Sequence, residues 1–134
     1  MIQQSNLYLA RYKVPLRGPE DIAVLTDSFK VVWKGTLIVV PQGFATDGSS
    51  VPRIVRAVVD RMTGIEASIV HDYLYATQKK PKDYADDLFN AMLAENINVS
   101  WVQRHAMYWA VQVFGSQAYY KKDWRWEDEE TVDD

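Results

Sequence analysis

Cysteine is absent from the 134 residues of the chain. Its absence excludes disulfides, thiolate metal sites and a cysteine nucleophile, and it fits a protein of the cytosol or of a virus particle. No apolar run approaches the roughly 20 residues that a membrane-spanning helix needs. The first six residues show neither the basic nor the apolar stretch of a signal peptide. We therefore expect no transmembrane segment and no export signal.

A concentrated basic charge is also missing. The formal net charge is -3, whereas a non-specific nucleic-acid binder normally presents a strongly basic face, so we expect no nucleic-acid partner. Hydrophobic residues make up 48% of the chain, enough for a core in a chain whose length suits one domain. We expect a single α+β domain over residues 1–126 and a solvated acidic tail over residues 127–134, although such tails also dock on basic partners.

The first third of the sequence predicts β-strands. Large residues alternate over residues 6–14, and a weaker strand pattern covers residues 22–25. The clearest signal is a hairpin in which residues 29–33 and 36–40 flank a Lys-Gly turn. Gly35 can supply the positive φ that such a turn needs.

The second half of the sequence predicts about four helices. A structured loop over residues 41–52 precedes them, because two glycines and two prolines in a dozen residues cannot continue a regular element. The last helix starts with a capping box of Ser100 and Gln103 and is apolar nearly all round, so we expect it to be the central core helix. The predicted helices cover residues 51–59, 64 or 65 to 77, 81 to about 95, and 100 to near 115 or 119.

These patterns together predict the fold class. We expect an α+β protein in which an N-terminal antiparallel β hairpin or small sheet packs on a C-terminal bundle of about four helices.

One polar cluster is predicted between the second and third of these helices. Asp86 lies in line with Phe89 on the core side of its helix, and a carboxylate that points towards a core is costly without a partner. The nearest candidates are His71 and Tyr75, one turn apart on the preceding helix. In the catalytic interpretation, Asp86 fixes the tautomer of His71, Tyr75 shares the hydrogen bonds to Asp86, and the other histidine nitrogen takes a proton from water.

A metal ion can be added to this interpretation. Asp72 points elsewhere and could hold calcium or another divalent cation with help from Asp47 in the structured loop. The cation would polarise a carbonyl while His71 activates water, and an ester or amide would be hydrolysed. Simpler interpretations stay open, because a His-Asp-Tyr network often only satisfies polar groups inside a core, and Asp47 can cap the helix that starts at Val51.

Three motifs in order carry a family resemblance. They are the loop over residues 40–53, the stretch His71-Asp72-Tyr-Leu-Tyr75, and Ala85-Asp86 followed by Phe89 and Met92. This ordered set resembles the phage and prophage family catalogued as domain of unknown function 1353, and it covers most of the domain. Membership implies a bacteriophage origin. The family's biochemical role is not established, so the resemblance implies no reaction.

A second resemblance is local. The pattern His71-Asp72-x-x-Tyr75, followed by a helix that carries Asp86, is similar to the active-site pattern of secreted and viral-capsid phospholipases A2. That resemblance implies a base at His71, a calcium ligand at Asp72, and Asp86 with Tyr75 as the groups that orient the histidine. The chain departs from those enzymes in the calcium loop, for which it offers only residues 43–50, and in having no disulfides.

The expected function is that of a bacteriophage protein at the host envelope, tail- or lysis-associated, with a hydrolase-like site for a lipid ester or a cell-wall amide. Its partners would be other virion proteins or a host envelope component, and its location the virion or the host cytoplasm. One alternative is a non-enzymatic virion structural or adaptor protein in which the His-Asp-Tyr network is structural. Another is a small inhibitor of a host defence protein. An open cleft at His71 would favour the enzyme, and a sealed His71 the structural protein.

Overall fold

The structure, a computed structural model, describes residues 2–13, 21–46, 65–95, 100–114 and 131–133. Seven strands and three helices lie within these ranges. In chain order they are β1 (Gln3–Gln4), β2 (Leu9–Lys13), β3 (Asp21–Leu25), β4 (Phe29–Trp33), β5 (Thr36–Val40), β6 (Ala45–Thr46), α1 (Glu66–Thr77), α2 (Lys82–Ala94), α3 (Trp101–Phe114) and β7 (Thr131–Asp133).

The chain divides into two compact units, Met1–Asp47 with Asp128–Asp134, and Gly48–Glu127. All seven described strands belong to the first unit, where they form two antiparallel sheets. One sheet has the strand order β1-β4-β5-β7 and the other has the order β2-β3-β6. The three described helices belong to the second unit.

The predicted hairpin is the centre of the four-stranded sheet. Phe29 pairs with Val40 and Val31 pairs with Ile38, and all four side chains are fully buried. Because strand side chains alternate between faces, these four residues form one apolar face of the hairpin. The turn residues Lys34 and Gly35 both have positive φ, of 51° and 76°, which matches the twist of the flanking strands.

The last described strand lies within the predicted acidic tail. Residues 131–133 pair with residues 36–38 of β5 as an antiparallel strand. No alternating pattern marks so short and acidic a segment, so the sequence did not predict this strand. The pairing covers the edge of β5 that β4 leaves unpaired.

In the second unit the buried helix is α1. All of its residues are buried except Glu66 and Ala76, and the helix ends where Gln78 adopts the left-handed conformation at φ 52° and donates its N–H to the Leu74 carbonyl. One hydrophobic cluster includes residues from all three helices: Ala67 from α1, Phe89 and Leu93 from α2, and Met107 and Val111 from α3.

The prediction that the final helix is the central core helix was wrong. Among the described side chains of α3 only Met107 and Val111 are buried, whereas Trp101 is 66% exposed and Trp109 is 60% exposed. Apolar residues nearly all round a helix do not reveal which side meets the core. Met107 and Val111, the buried residues among the described side chains of α3, belong to the hydrophobic cluster with Phe89 and Leu93.

The predicted fold class also needs correction. The described residues form two sheets and three helices, not one hairpin or small sheet packed on a bundle of about four helices. The broad α+β description holds. The sequence could not assign the strands to sheets, since partners such as Gln3 and Val32 lie far apart in the chain. The predicted helix over residues 51–59 and much of the predicted loop lie outside the described residues.

Candidate functional site

The candidate site is built on the carboxylate of Asp86, which has no exposed surface. Its Oδ1 lies 2.8 Å from His71 Nε2 and accepts a hydrogen bond from the Tyr75 hydroxyl at 2.6 Å. Its Oδ2 accepts a hydrogen bond from Lys82 Nζ at 2.7 Å. A buried carboxylate is costly unless it is paired and hydrogen-bonded, and here three side chains meet that requirement.

Helical spacing brings these four side chains together. His71 and Tyr75 are four residues apart on α1 and share a face, as do Lys82 and Asp86 on α2. The rings of His71 and Tyr75 lie 4.0 Å apart between centroids, and the Phe89 ring lies 5.1 Å from His71. These contacts place the imidazole between the rings of Tyr75 and Phe89 and the Asp86 carboxylate. Its orientation is therefore set by packing as well as by the hydrogen bond.

The charges of the cluster follow from burial and from its hydrogen bonds. Burial lowers the pKa of His71 below 6.5, and this outweighs the upward effect of the Asp86 hydrogen bond and charge. Burial alone would raise the pKa of Asp86, but the hydrogen bonds from His71, Lys82 and Tyr75 together lower it. At neutral pH the cluster therefore holds a carboxylate, a lysine cation at 2.7 Å and a neutral imidazole.

The neutral imidazole has a defined tautomer. An ionised carboxylate can only accept hydrogen bonds, so the His71 nitrogen that faces Asp86, Nε2, carries the hydrogen. The lone pair is then on Nδ1. A carboxylate that accepts a hydrogen bond from one ring nitrogen orients the histidine and leaves the other nitrogen basic, which here is Nδ1.

The contacts that the sequence analysis predicted for His71, Asp86 and Tyr75 are all present. Their catalytic roles stay predictions. The side chains of His71 and Asp86 both have 0% exposure, and Tyr75 is 1% exposed. The histidine is thus sealed, which is the condition that the sequence analysis associated with a structural network.

Lys82 is a member of the site that the sequence analysis missed. It is partly exposed, and its Nζ also donates to the carbonyl of Gln112 on α3 at 3.1 Å. The spacing of four residues between Lys82 and Asp86 was visible in the sequence and is the signal that could have identified it. Because surface lysines are usually solvated, that spacing alone did not single it out.

A second polar contact joins α2 to α3 nearby. The Tyr108 hydroxyl donates to Asp87 Oδ1 at 2.5 Å and accepts from Gln112 Nε2 at 3.0 Å. The hydrogen bond to Asp87, with burial and the charge of Asp87 behind it, raises the pKa of Tyr108 to about 12. Tyr108 therefore remains a protonated donor throughout the physiological range.

The predicted metal ligands do not come together among the described residues. Asp72 is buried on α1 with 6% exposure, and Asp47 lies outside the described residues. No group of three or more His, Asp or Glu side chains that could hold a metal occurs in the part of the chain that the structure describes. Calcium takes six to eight oxygen ligands, so the described residues alone do not make a calcium site.

No helix in the described ranges has the length and the apolar character to cross a membrane.

A family model described as "Protein of unknown function (DUF1353)" matches residues 23–111, a segment that includes the whole Asp86 cluster. Comparisons with curated proteins and with solved structures gave no match.

Proposed function

Because the chain belongs to the DUF1353 family, whose description gives no activity, we propose a function from the site itself. His71 is the general base of a hydrolase that cleaves an ester or an amide, in a bacteriophage protein that acts at the host envelope. The observation that carries this proposal is that His71 Nε2 lies 2.8 Å from Asp86 Oδ1 in a cluster closed by Tyr75 and Lys82.

The chemistry needs a neutral imidazole in a fixed tautomer. With the hydrogen on Nε2 directed at Asp86, Nδ1 of His71 accepts a proton from water as the water oxygen attacks the substrate carbonyl carbon. The imidazolium that forms is stabilised by Asp86, whose pKa the cluster keeps low. Collapse of the tetrahedral intermediate breaks the bond to the leaving group, which takes the proton back from His71.

The described geometry alone does not give a substrate access to His71. The His71 side chain is fully buried, so a reacting water and a substrate carbonyl reach it only if the protein opens locally. Opening of this kind precedes chemistry in many enzymes, and apo geometry alone does not exclude a base. The proposal therefore includes an open state of the second unit.

The proposal also covers the substrate class, the partners and the location of the protein. The substrate class is a lipid ester or a cell-wall amide, and the partners are other virion proteins or a host envelope component. The protein acts from the virion, as a tail or lysis-associated component, or from the host cytoplasm. The proposal also includes calcium or another divalent cation bound by Asp72 and Asp47. None of the chemical steps above uses this ion.

The test is an activity assay with matched histidine variants. Wild-type protein, His71→Gln and His105→Gln are incubated with a fluorogenic phospholipid ester and, separately, with purified peptidoglycan, each with calcium and with a chelator. The chain has two histidines, and His105 is exposed on α3, so its replacement controls for general effects. We expect turnover of one substrate by wild type and His105→Gln, and a loss of about 100-fold or more in His71→Gln.

Turnover that survives in His71→Gln would contradict the assignment of the base. Circular dichroism must show that the variant is folded, because His71 also belongs to a buried network. Turnover that needs calcium and is lost in Asp72→Asn would support the metal element. Turnover that is unchanged by the chelator would rule out a role for the metal ion.

A second candidate function is favoured by the sealing of His71. With 0% exposure for both His71 and Asp86, the cluster meets the requirements of a structural network in a non-enzymatic virion structural or adaptor protein. That candidate predicts no turnover by wild type, a lowered melting temperature for His71→Gln, and detection of the protein by mass spectrometry in purified particles. Absence from particles would contradict it.

A further inference from the structure

The ammonium group of Lys82 is held between two helices. Its Nζ donates to Asp86 Oδ2 on its own helix at 2.7 Å and to the carbonyl of Gln112 on α3 at 3.1 Å. A lysine side chain loses much rotamer freedom when it is fixed, so a single exposed ion pair rarely holds one in place. Here the side chain is 15% exposed and has two acceptors on different helices. These contacts give the charge a defined position beside Asp86.

The two oxygens of the Asp86 carboxylate have different partners. Oδ1 is shared by His71 Nε2 and the Tyr75 hydroxyl, whereas Oδ2 accepts from Lys82. These are the three side chains that donate to Asp86 in the part of the chain that the structure describes. The imidazole is neutral at neutral pH, because burial lowers the pKa of His71. The counter-charge of the buried carboxylate therefore comes from Lys82.

This counter-charge has a consequence for His71. A buried carboxylate that loses its cation is driven to take up a proton. A protonated carboxyl group is a donor as well as an acceptor, so it would no longer dictate which nitrogen of His71 carries the hydrogen. While Lys82 keeps Asp86 ionised, Asp86 can only accept, and the hydrogen stays on Nε2.

We propose that Lys82 is a positioning residue of this site. Its ammonium, held by the Gln112 carbonyl of α3, keeps Asp86 an acceptor and thereby fixes the hydrogen of His71 on Nε2. The inference rests on the proposed function, in which Nδ1 of His71 is the base, and it identifies the residue that keeps Nδ1 available. The state of the His71 ring can be measured without a substrate, so this inference can fail or succeed separately from the hydrolase proposal.

The matched variants separate the charge of Lys82 from its packing. Lys82→Met keeps a long apolar stem and removes the charge, whereas Lys82→Arg keeps a cation that can pair with a carboxylate. Lys80→Met is the control for the loss of one positive charge. Lys80 is also partly buried and is two residues away, and its Nζ lies 5.3 Å from the centroid of the Tyr84 ring.

The first measurement is the position of the hydrogen on His71. Two-bond proton–nitrogen correlation spectra of ¹⁵N-labelled protein at pH 7.5 distinguish a protonated from an unprotonated ring nitrogen. The chain has two histidines, and His105→Gln assigns their signals. We expect hydrogen on Nε2 and none on Nδ1 in wild type, Lys82→Arg and Lys80→Met. In Lys82→Met, signals of protonated Nδ1 should appear.

The second measurement is steady-state kinetics on the ester or peptidoglycan substrate that wild type cleaves. We expect Lys82→Met to lower kcat by about tenfold or more, with KM within about threefold of wild type, because the base and not the binding of substrate is affected. Lys82→Arg should recover kcat to within about threefold, and Lys80→Met should match wild type. A lysine that only stabilises the fold would lower the melting temperature in Lys82→Met without protonation of Nδ1.

Two spectra would overturn the inference: wild type with hydrogen on Nδ1, or folded Lys82→Met with hydrogen on Nε2 alone. Circular dichroism establishes folding, and if Lys82→Met does not fold, Lys82→Gln is measured in its place, since its amide is uncharged but keeps hydrogen-bond donors. The expected spectra without turnover by wild type would support the role of Lys82 and contradict the hydrolase. Turnover by wild type with an unchanged kcat in Lys82→Met would keep the hydrolase and overturn the role of Lys82.

Discussion

His71 Nε2 and Asp86 Oδ1 lie 2.8 Å apart, although the two residues are fifteen positions apart in the chain, and neither side chain reaches solvent. Removal of one partner therefore leaves the other buried without its hydrogen bond. Any change to this pair therefore alters folding stability as well as chemistry. Measurements of stability and of activity on the same variants are needed to separate a structural network from a catalytic one.

Replacement of Asp86 by asparagine is expected to lower the free energy of unfolding by about 3 kcal/mol, as for other buried ion pairs that lose one partner. The neutral amide leaves Lys82 without its counter-charge and presents only one acceptor atom to three donors. Urea denaturation, monitored through the helical circular dichroism signal, measures the change in the free energy of unfolding. Asp83→Asn is the matched control on an exposed site of the same helix, with an expected effect within about 0.5 kcal/mol. A loss below about 1 kcal/mol for Asp86→Asn would show that the cluster is solvated in solution.

Stability is expected to fall on acidification, beginning near pH 6.5. The pKa of His71 in the folded protein is lowered from 6.5 by burial, so between 6.5 and that lower value the unfolded chain binds a proton that the folded chain does not. The unfolded state is then favoured as the pH falls. Asp86 acts in the same direction below 3.8, because its pKa in the folded state is also lowered. Its stabilising contribution is complete above 3.8 and is lost as the pH falls through the folded value.

Urea denaturation at a series of pH values checks this dependence. His71→Gln should lose the component that begins near pH 6.5, while His105→Gln should keep it. Equal slopes between pH 6.5 and 5 in wild type and His71→Gln would contradict a lowered His71 pKa. The nuclear magnetic resonance titration of the His71 ring provides the direct reading.

The part of the site that sequence reasoning could predict rests on helical spacing and on the cost of burying charge. His71 and Tyr75 share a face of their helix because they are four residues apart. Asp86 lies on the core side of its helix, where a carboxylate requires hydrogen-bond donors. Both rules are local, and the contacts they predicted are present. Lys82 obeys the same spacing rule, but an exposed lysine has no comparable need for a partner.

The features that could not be predicted depend on long-range packing. Strand β7 pairs Thr36 with Asp133, 97 positions apart in the chain, and no local pattern encodes such a partner. The exposed apolar residues of α3 are of the same types as those of a buried face. Composition alone therefore placed Trp101 and Trp109 in a core from which the packing of the helix excludes them.

The capping box at the start of α3 makes a separate prediction about local stability. Ser100 Oγ accepts the Gln103 N–H at 3.1 Å, and the Ser100 N–H donates to Gln103 Oε1 at 3.0 Å. Ser100→Ala leaves the Gln103 N–H without this acceptor and should cost about 1 kcal/mol in urea denaturation. Ser100→Asp restores an acceptor at the positive end of the helix and should recover most of the loss. Equal losses in the two variants would show that the cap does not stabilise α3.

The last prediction concerns Tyr108, whose pKa is raised to about 12 chiefly because its hydroxyl donates to Asp87. Ionisation removes that donor and places two negative charges side by side. In Asp87→Asn the amide oxygen still accepts the hydrogen bond but the second charge is gone, so the Tyr108 pKa should move towards its ordinary value of 10.0. The ring carbon shifts of labelled tyrosine report the titration, and Tyr108→Phe assigns the signal among the eight tyrosines.

Asp83→Asn is the control for this titration as well, because Asp83 has the smallest of the named effects on Tyr108. It should shift the Tyr108 pKa less than Asp87→Asn does. Equal Tyr108 values in wild type and Asp87→Asn would mean that the 2.5 Å contact is not kept in solution. In that case the hydrogen bond from Lys82 to the Gln112 carbonyl would be a larger part of the polar contact between α2 and α3, and the loss of Lys82 would have a correspondingly larger effect on stability.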